Sequence, residues 1–148
     1  MRFEHSAAIA ASRARVWDLL MDVPRSARLV PGVESVEAAG PDRYRGTLRV
    51  QVGPVRLALE GDVAITARDA EAGTATMRVD AADARAGGAV RATLGLALSE
   101  RDGATELRIT TDAQVLGRIG EFGQPIIKRK ADQLMSEFAA NVQAEATR

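Results

Sequence analysis

Apolar and polar residues alternate along most of the chain, which is the pattern of β-strands that bury one face. Glycine- or proline-containing turns separate most of the alternating segments. Many of these segments run to roughly ten residues, whereas ordinary strands have about five or six. Long strands joined by short turns indicate a curved antiparallel sheet with one face in water. The predicted strands are residues 2–11, 33–39, 43–52, 55–66, 74–83, 89–99 and 105–116.

Two short helices are predicted between the first and second strands. Ser12 is a suitable N-cap for a helix over residues 13–21. A second helix is expected around residues 24–30, because Pro31-Gly32 then breaks the helical pattern.

A third, long helix is predicted over residues 119–146, where apolar residues recur at spacings of three and four. Pro125 lies inside this pattern and lacks a backbone N–H, so it predicts a kink or a late start. The residues from Asn141 onward are expected to fray. The element order predicts one α+β domain, residues 1–148, in which a seven-stranded curved antiparallel sheet wraps around the long C-terminal helix.

Composition narrows the classes of function. The chain has 20 basic and 20 acidic residues, so attraction to nucleic acid is not a property of the whole protein. Only 3% of the residues are aromatic, too few for base-stacking platforms. The absence of cysteine excludes disulfides, thiolate metal sites and cysteine nucleophiles. No signal peptide or membrane span is recognisable, so we expect a cytoplasmic protein, or one peripheral at the inner face of the cell membrane.

The residues offer no obvious catalytic set or metal site. His5 is the single histidine and shares a predicted strand face with Phe3 and Ile9. It is either a general base or polar anchor for a ligand, or a hydrogen-bonded histidine at a strand edge. The strand carboxylates fall on predicted solvent faces, which argues against paired-carboxylate chemistry and against a metal cluster. We therefore predict no catalytic residue and no bound metal.

The predicted concave face of the sheet is almost entirely apolar and carries modest side chains. Such a face could enclose a ligand cavity, because close-packed interiors otherwise need bulkier fillers. Alternatively, helix side chains such as Phe138 fill the space as ordinary core. The predicted cavity residues are His5, Tyr44, Leu48, Val50, Leu57, Leu59, Met77, Val79, Leu94, Leu96, Ile109 and Thr111 from the sheet, with Ile127 and Leu134 from the helix.

A compact basic patch, Lys128-Arg129-Lys130, follows Ile126 near the start of the long helix. It could contact anionic headgroups or an acidic partner, at roughly 1 kcal/mol per residue near a charged membrane. Ile119, Phe122 and Ile126 would add an apolar contact if they are exposed. The alternative is an ordinary solvated helix face.

Several motifs, in a fixed order along the whole chain, identify a family resemblance. They are Phe3-Glu4, Val16-Trp17-Asp18-Leu19-Leu20-Met21-Asp22, Leu29-Val30-Pro31-Gly32-Val33-Glu34, Tyr44-Arg45-Gly46-Thr47-Leu48, Val52-Gly53-Pro54-Val55 with Glu60-Gly61, Asp112-Ala113-Gln114-Val115, Gly117, Gly120 and Gly123, and Lys130-Ala131-Asp132-Gln133-Leu134. Together these resemble the SRPBCC, or START-like, superfamily of helix-grip proteins. Within it, the chain most resembles the CoxG family, whose name comes from the carbon monoxide dehydrogenase system.

The resemblance implies a non-catalytic accessory protein rather than an enzyme. CoxG-type proteins are associated with molybdenum-containing carbon monoxide dehydrogenase and related hydroxylases, with recruitment of that enzyme to the membrane, and with its quinone acceptor. The resemblance implies no cofactor, other than a bound quinone or lipid. Some members carry a hydrophobic C-terminal segment, whereas this chain stops at Arg148, so any membrane contact is expected to be peripheral or through a partner. His5 replaces a residue that is usually small.

Two other functions remain open. The chain could be a polyketide cyclase-like or hydratase-like enzyme of the same superfamily, for which His5, Tyr44 and Thr111 are the available polar groups. It could also be a pure protein–protein adaptor, whose surface rather than cavity matters.

Overall fold

A computed structural model describes residues 1–148. A seven-stranded antiparallel sheet, two short helices after the first strand and a long C-terminal helix confirm the predicted fold. The elements are β1 (Arg2–Ile9), α1 (Arg13–Met21), α2 (Val23–Ala27), β2 (Val33–Ala38), β3 (Arg43–Val52), β4 (Val55–Asp69), β5 (Thr74–Asp83), β6 (Gly88–Arg101), β7 (Ala104–Gly117), a 3₁₀ helix (Arg118–Phe122) and α3 (Gln124–Ala146).

The sheet is a meander from β2 to β7 with β1 added beside β7, in the order β1-β7-β6-β5-β4-β3-β2. Glycines allow its strong curvature. Gly46 pairs with Gly61, and a Cβ at Gly46 would lie 2.5 Å from the carbonyl oxygen of Ser35. A Cβ at Gly61 would overlap the carbonyl oxygen of Asp80 on β5. Only glycine lets neighbouring backbones approach this closely.

The prolines lie where the backbone tolerates them. Pro24 is in the first turn of α2, and Pro125 is in the first turn of α3, where a missing N–H costs no hydrogen bond. The prediction of a late helix start near residue 125 is therefore confirmed. Residues 118–122 form a separate 3₁₀ helix instead of the first turn of α3.

The predicted fraying from Asn141 onward is wrong. Val142 is completely buried, and α3 continues as a regular helix beyond it. The side-chain amide of Asn141 donates to the carbonyl oxygen of Leu29 at 2.8 Å, and Arg25 pairs with Glu145 at 2.8 Å. The hydrogen bond from Arg25 also lowers the pKa of Glu145. Tertiary contacts with the short helices therefore hold the end of α3 in place.

The buried apolar residues form two separate clusters. The larger joins α1, the inner faces of β1, β6 and β7, and the C-terminal end of α3. The smaller consists of Val52, Leu57 and Leu59 from the sheet and Ile119 from the 3₁₀ helix. The half-buried inner-face residues Tyr44, Val63, Val79 and Ala92 belong to neither cluster. We call this part of the concave face the gap, and it is the position of the candidate site.

Candidate functional site

The middle of the concave face is built from small side chains. One cross-strand row runs through residues 46, 61, 81, 90 and 115, and the next through residues 44, 63, 79, 92 and 113. Side chains in such a row point to the same face of the sheet. The row members other than Tyr44 are glycine, alanine or valine: Gly46, Gly61, Ala81, Val90, Val115, Val63, Val79, Ala92 and Ala113. In the first row, Ala81, Val90 and Val115 pack against the smaller cluster. In the second row, Val63, Val79 and Ala92 are half-buried and lie outside both clusters.

The face of α3 opposite this gap is only partly covered. Ile127, Leu134 and Phe138 share a helical stripe with Val142, which is buried against the sheet. Unlike Val142, these three side chains are half-buried. The C-terminal end of α3 is therefore packed, with Phe138 against the larger cluster, whereas Ile127 and Leu134 lie outside both clusters.

A cleft of about 340 Å³ opens between β1 and α3. This volume lies at the small end of the range typical for small-molecule sites, about 300–1,000 Å³. His5, Ala7 and Ile109 line it from the sheet, and Asp132 and Phe138 line it from the helix.

The structure divides the predicted cavity residues into three groups. Leu96 and Ile109 are buried in the larger cluster, with Met77 and Leu94 packed against it. Leu57 and Leu59 are buried in the smaller cluster, with Leu48 and Val50 packed against it. The prediction that the whole face lines one cavity is thus too broad, because both ends of the face are core. The remaining six lie outside both clusters and are half-buried: His5, Tyr44, Val79, Thr111, Ile127 and Leu134.

His5 connects the edge strand to the long helix. Its Nε2 lies 2.7 Å from Oδ1 of Asp132, so the ring N–H donates to the carboxylate. The other carboxylate oxygen, Oδ2, accepts from Nζ of Lys128 at 3.0 Å. The hydrogen bond from His5, followed by that from Lys128, lowers the pKa of Asp132 below its ordinary value of 3.8. Asp132 is therefore a carboxylate at neutral pH, and it orients the imidazole.

Two buried polar atoms on the concave face lack a hydrogen-bond partner. They are Nδ1 of His5 and Oγ1 of Thr111. Both belong to predicted cavity residues, and they lie on the neighbouring strands β1 and β7.

Asp132 is the functional candidate that sequence reasoning missed. In the sequence it stands out only as part of the motif Lys130-Ala131-Asp132-Gln133-Leu134. The only local signal is the spacing of four residues from Lys128, which is typical of a helix-surface pair. The contact with His5 joins residues 127 positions apart, so it depends on how α3 crosses β1.

The predicted membrane or partner surface is smaller than expected. The prediction that Ile119 forms an exposed contact is wrong, because Ile119 is 4% exposed. Its side chain occupies the space beside Gly88 that a Cβ would fill. Phe122 is half-buried against the smaller cluster. Lys128 is paired with Asp132, and the partly covered Lys130 lies 3.3 Å from Oε1 of Gln133. Exposed positions that remain are Ile126 and Arg129.

No group of three or more histidine or acidic side chains is placed to hold a metal ion. Likewise, none of the helices combines the length and the apolar character that crossing a membrane requires.

Comparison with known families gives one match that spans nearly the entire chain. Residues 6–147 match the family of CoxG, a subunit of carbon monoxide dehydrogenase. The chain belongs to the CoxG family. This confirms the resemblance drawn from the sequence motifs. A comparison with curated proteins finds no significant match.

Solved structures show that the CoxG fold of this chain is START-like. A conserved protein from Geobacillus kaustophilus shares 24% identity with a TM-score of 0.91, over 99% of this chain and 95% of that one. The Zhui aromatase/cyclase from Streptomyces sp. R1128 shares 20% identity with a TM-score of 0.71, over 100% and 94%. A START superfamily protein from Mycobacterium smegmatis shares 11% identity with a TM-score of 0.73, over 99% and 97%. At these identities the similarity establishes the helix-grip fold.

Proposed function

We propose that this CoxG-family chain is a non-catalytic accessory protein that binds a lipophilic molecule, a quinone or a lipid, between the sheet and α3. The observation that carries the proposal is the gap between the two core clusters. There, Val63, Val79 and Ala92 of the sheet and Ile127 and Leu134 of α3 are half-buried and belong to neither cluster. Protein interiors are otherwise packed as densely as organic crystals. An apolar occupant suits the gap because its walls are valine, alanine, leucine and isoleucine, with few polar groups.

The test is to identify what the protein carries after expression. Native mass spectrometry, followed by solvent extraction, should detect a bound quinone or lipid. Ala92→Phe places a large ring in the middle of the gap and should abolish the bound species. Ala97→Phe is the matched control, because Ala97 lies on the same strand with its side chain on the outer face.

An empty wild-type protein that also fails to bind an apolar dye would overturn the proposal. Equal loss of ligand in Ala92→Phe and Ala97→Phe would contradict the proposal that the ligand binds on the concave face. Retention of partner binding in an Ala92→Phe protein that has lost its ligand would favour the pure adaptor function instead.

We further propose that the chain helps to recruit a molybdenum hydroxylase of the carbon monoxide dehydrogenase type to the inner face of the cell membrane. Membership of the CoxG family supports this partner. The exposed pair Ile126 and Arg129 supplies a small apolar and basic contact at the start of α3. In this proposal the protein is cytoplasmic and touches the membrane peripherally.

Vesicle flotation tests the recruitment. The hydroxylase should float with anionic vesicles only when this chain is present. Ile126→Asp combined with Arg129→Glu should reduce flotation severalfold, because it removes the apolar contact and reverses a charge. Arg56→Glu is the control, since Arg56 is an exposed arginine on the outer face of β4. Flotation that is independent of the chain would contradict the proposal.

The His5–Asp132 pair favours one alternative, a cyclase-like or hydratase-like enzyme. A carboxylate that orients an imidazole is the arrangement of a general base. Incubation with a poly-β-ketone thioester would test it, with cyclised or dehydrated product as the readout. Product that disappears in Asp132→Asn would support the enzyme, whereas no product from wild-type protein would remove it.

A further inference from the structure

The two unpartnered polar atoms on the concave face need an explanation. Buried side-chain nitrogen and oxygen atoms in proteins almost always have a hydrogen-bond partner. Nδ1 of His5 and Oγ1 of Thr111 are the buried side-chain atoms of this chain that have none. Both belong to the same small region of the sheet, so a single cause is the simplest account.

The register of β1 with β7 brings these residues together. Phe3 pairs with Thr111, and His5 pairs with Ile109. His5 and Thr111 are therefore diagonal neighbours on the concave face, and the Cβ atoms of such neighbours are about 7 Å apart. One small polar group that lies between the two side chains can reach both of them.

Asp132 determines what that group must be. Because the carboxylate accepts from Nε2, that nitrogen carries a hydrogen, and in the Nε2–H tautomer Nδ1 is a pure acceptor. The hydroxyl of Thr111 can donate or accept. A hydroxyl group can donate to Nδ1 and accept from Thr111 at once. A carbonyl or an ether oxygen satisfies only Thr111, and a carboxylate would be repelled by Asp132.

We propose that His5 and Thr111 form a polar subsite that holds the hydroxyl group of an alcohol or phenol whose apolar part lies in the concave gap. This inference rests on the proposed lipophile binding and narrows the ligand to one with a hydroxyl group, which a lipid alcohol or the reduced, phenolic form of a quinone carries. Asp132 acts as a positioning residue that fixes the ring tautomer. Since both polar atoms are buried, the ligand enters by displacing side chains of the β1–α3 cleft, such as the half-buried Phe138.

A matched pair of ligands tests the subsite. Displacement of 1-anilinonaphthalene-8-sulfonate by 1-decanol is compared with displacement by 1-methoxydecane. The ether is the more apolar compound, so a gap without a polar subsite binds it at least as well. We expect wild-type protein to bind the alcohol roughly tenfold more tightly, the equivalent of one or two net hydrogen bonds.

Substitutions then assign the preference to the two residues. Thr111→Val keeps the side-chain shape and should remove most of the preference for the alcohol, and His5→Leu should do the same. Thr110→Val is the control, because Thr110 is the adjacent residue of β7 on the outer face. If His5→Leu does not fold, the alcohol preference of Thr111→Val alone tests whether these residues form the subsite.

The single histidine also gives a direct readout. Its ¹⁵N chemical shifts should report the Nε2–H tautomer, and Nδ1 should move upfield when decanol, but not the ether, is added. Asp132→Asn should weaken the tautomer preference, whereas a purely structural role for Asp132 would leave the tautomer unchanged.

Each outcome has one meaning. Equal or weaker binding of the alcohol by wild-type protein overturns the subsite and leaves the proposed apolar binding intact. A preference that survives in Thr111→Val overturns the assignment to these residues. Displacement by neither compound overturns both the subsite and the proposed function.

Discussion

The two halves of α3 meet the sheet in different ways. The C-terminal half is anchored: Val142 is fully buried, and Asn141 and Glu145 bond to the segment that contains α2. The N-terminal half is packed less completely, since its apolar residues Ile127 and Leu134 remain half-buried and lie outside both core clusters. One helix therefore serves as core at one end and as a wall of the candidate site at the other. The C-terminal half of α3 therefore contributes mainly to stability, and the N-terminal half is the part available for the proposed ligand binding.

The largest expected effect contrasts a leucine of the anchored core with one above the gap. Leu107→Ala removes a side chain that is 2% exposed, and we expect a loss of about 2–5 kcal/mol of unfolding free energy. Leu134→Ala should cost less than about 1.5 kcal/mol, because Leu134 is half-buried and lies outside both core clusters. Urea denaturation measures both. Equal losses would mean that the gap is as tightly packed as the core.

The second contrast concerns two strand glycines. A methyl group at Gly61 would overlap the backbone of β5, so Gly61→Ala should destabilise the protein by about 1–3 kcal/mol. An added Cβ at Gly95 meets nothing within 4 Å, so Gly95→Ala should be neutral or slightly stabilising. Thermal unfolding measures the difference. Similar Tm values for the two variants would contradict the requirement for close backbone approach where the sheet bends.

The third contrast compares the wild-type protein with an Asp83→Asn variant as pH falls, and it probes the end of the sheet beside the smaller cluster. Asp83 accepts hydrogen bonds from the backbone N–H groups of Ala58, Ala86 and Arg85, and these bonds lower the pKa of its carboxyl. A lowered folded-state pKa means that the stabilisation is complete well above the ordinary value of 3.8 and disappears as pH falls through the folded-state pKa. Asp83→Asn should therefore lower Tm at pH 7 and flatten its dependence on pH.

Asp132 and Glu145 also have lowered pKa values, so both proteins lose stability in acid. The difference between the two Tm curves, measured from pH 7 to pH 3, isolates the contribution of Asp83. A difference that does not shrink toward pH 3 would contradict the role assigned to its carboxylate.

The smallest contrast lies on α3 itself. Asn141→Ala removes the hydrogen bond to Leu29 and should cost about 1 kcal/mol. Gln133→Ala, on an exposed position of the other half, should change stability by less than about 0.5 kcal/mol. Chemical denaturation of both variants, run in parallel, measures the contrast. A larger loss of unfolding free energy for Gln133→Ala would contradict the conclusion that the C-terminal half of α3 is the anchored half.

Much of the fold could be read from the sequence, because alternation reports directly which side of a strand is buried. The inner faces of β3 to β7 follow from it, and Pro125 correctly indicates the late start of α3. The extent of the site could not be read, since alternation does not distinguish a packed core residue such as Leu57 from a half-buried wall residue such as Val79. That distinction depends on where α3 and the 3₁₀ helix meet the sheet.

Local pattern alone determined the strands, their buried faces and the long helix, since these depend on residues a few positions apart. Tertiary structure alone decided that Asp132 reaches His5, that Ile119 fills the space beside Gly88, and that the last turns of α3 are buried. Each of these contacts joins distant segments, and no local periodicity records how two such segments cross. Local pattern is sufficient for the strands and helices because each segment's own residues determine which of its faces is apolar. The position of a gap depends instead on how the sheet and α3 pack against each other.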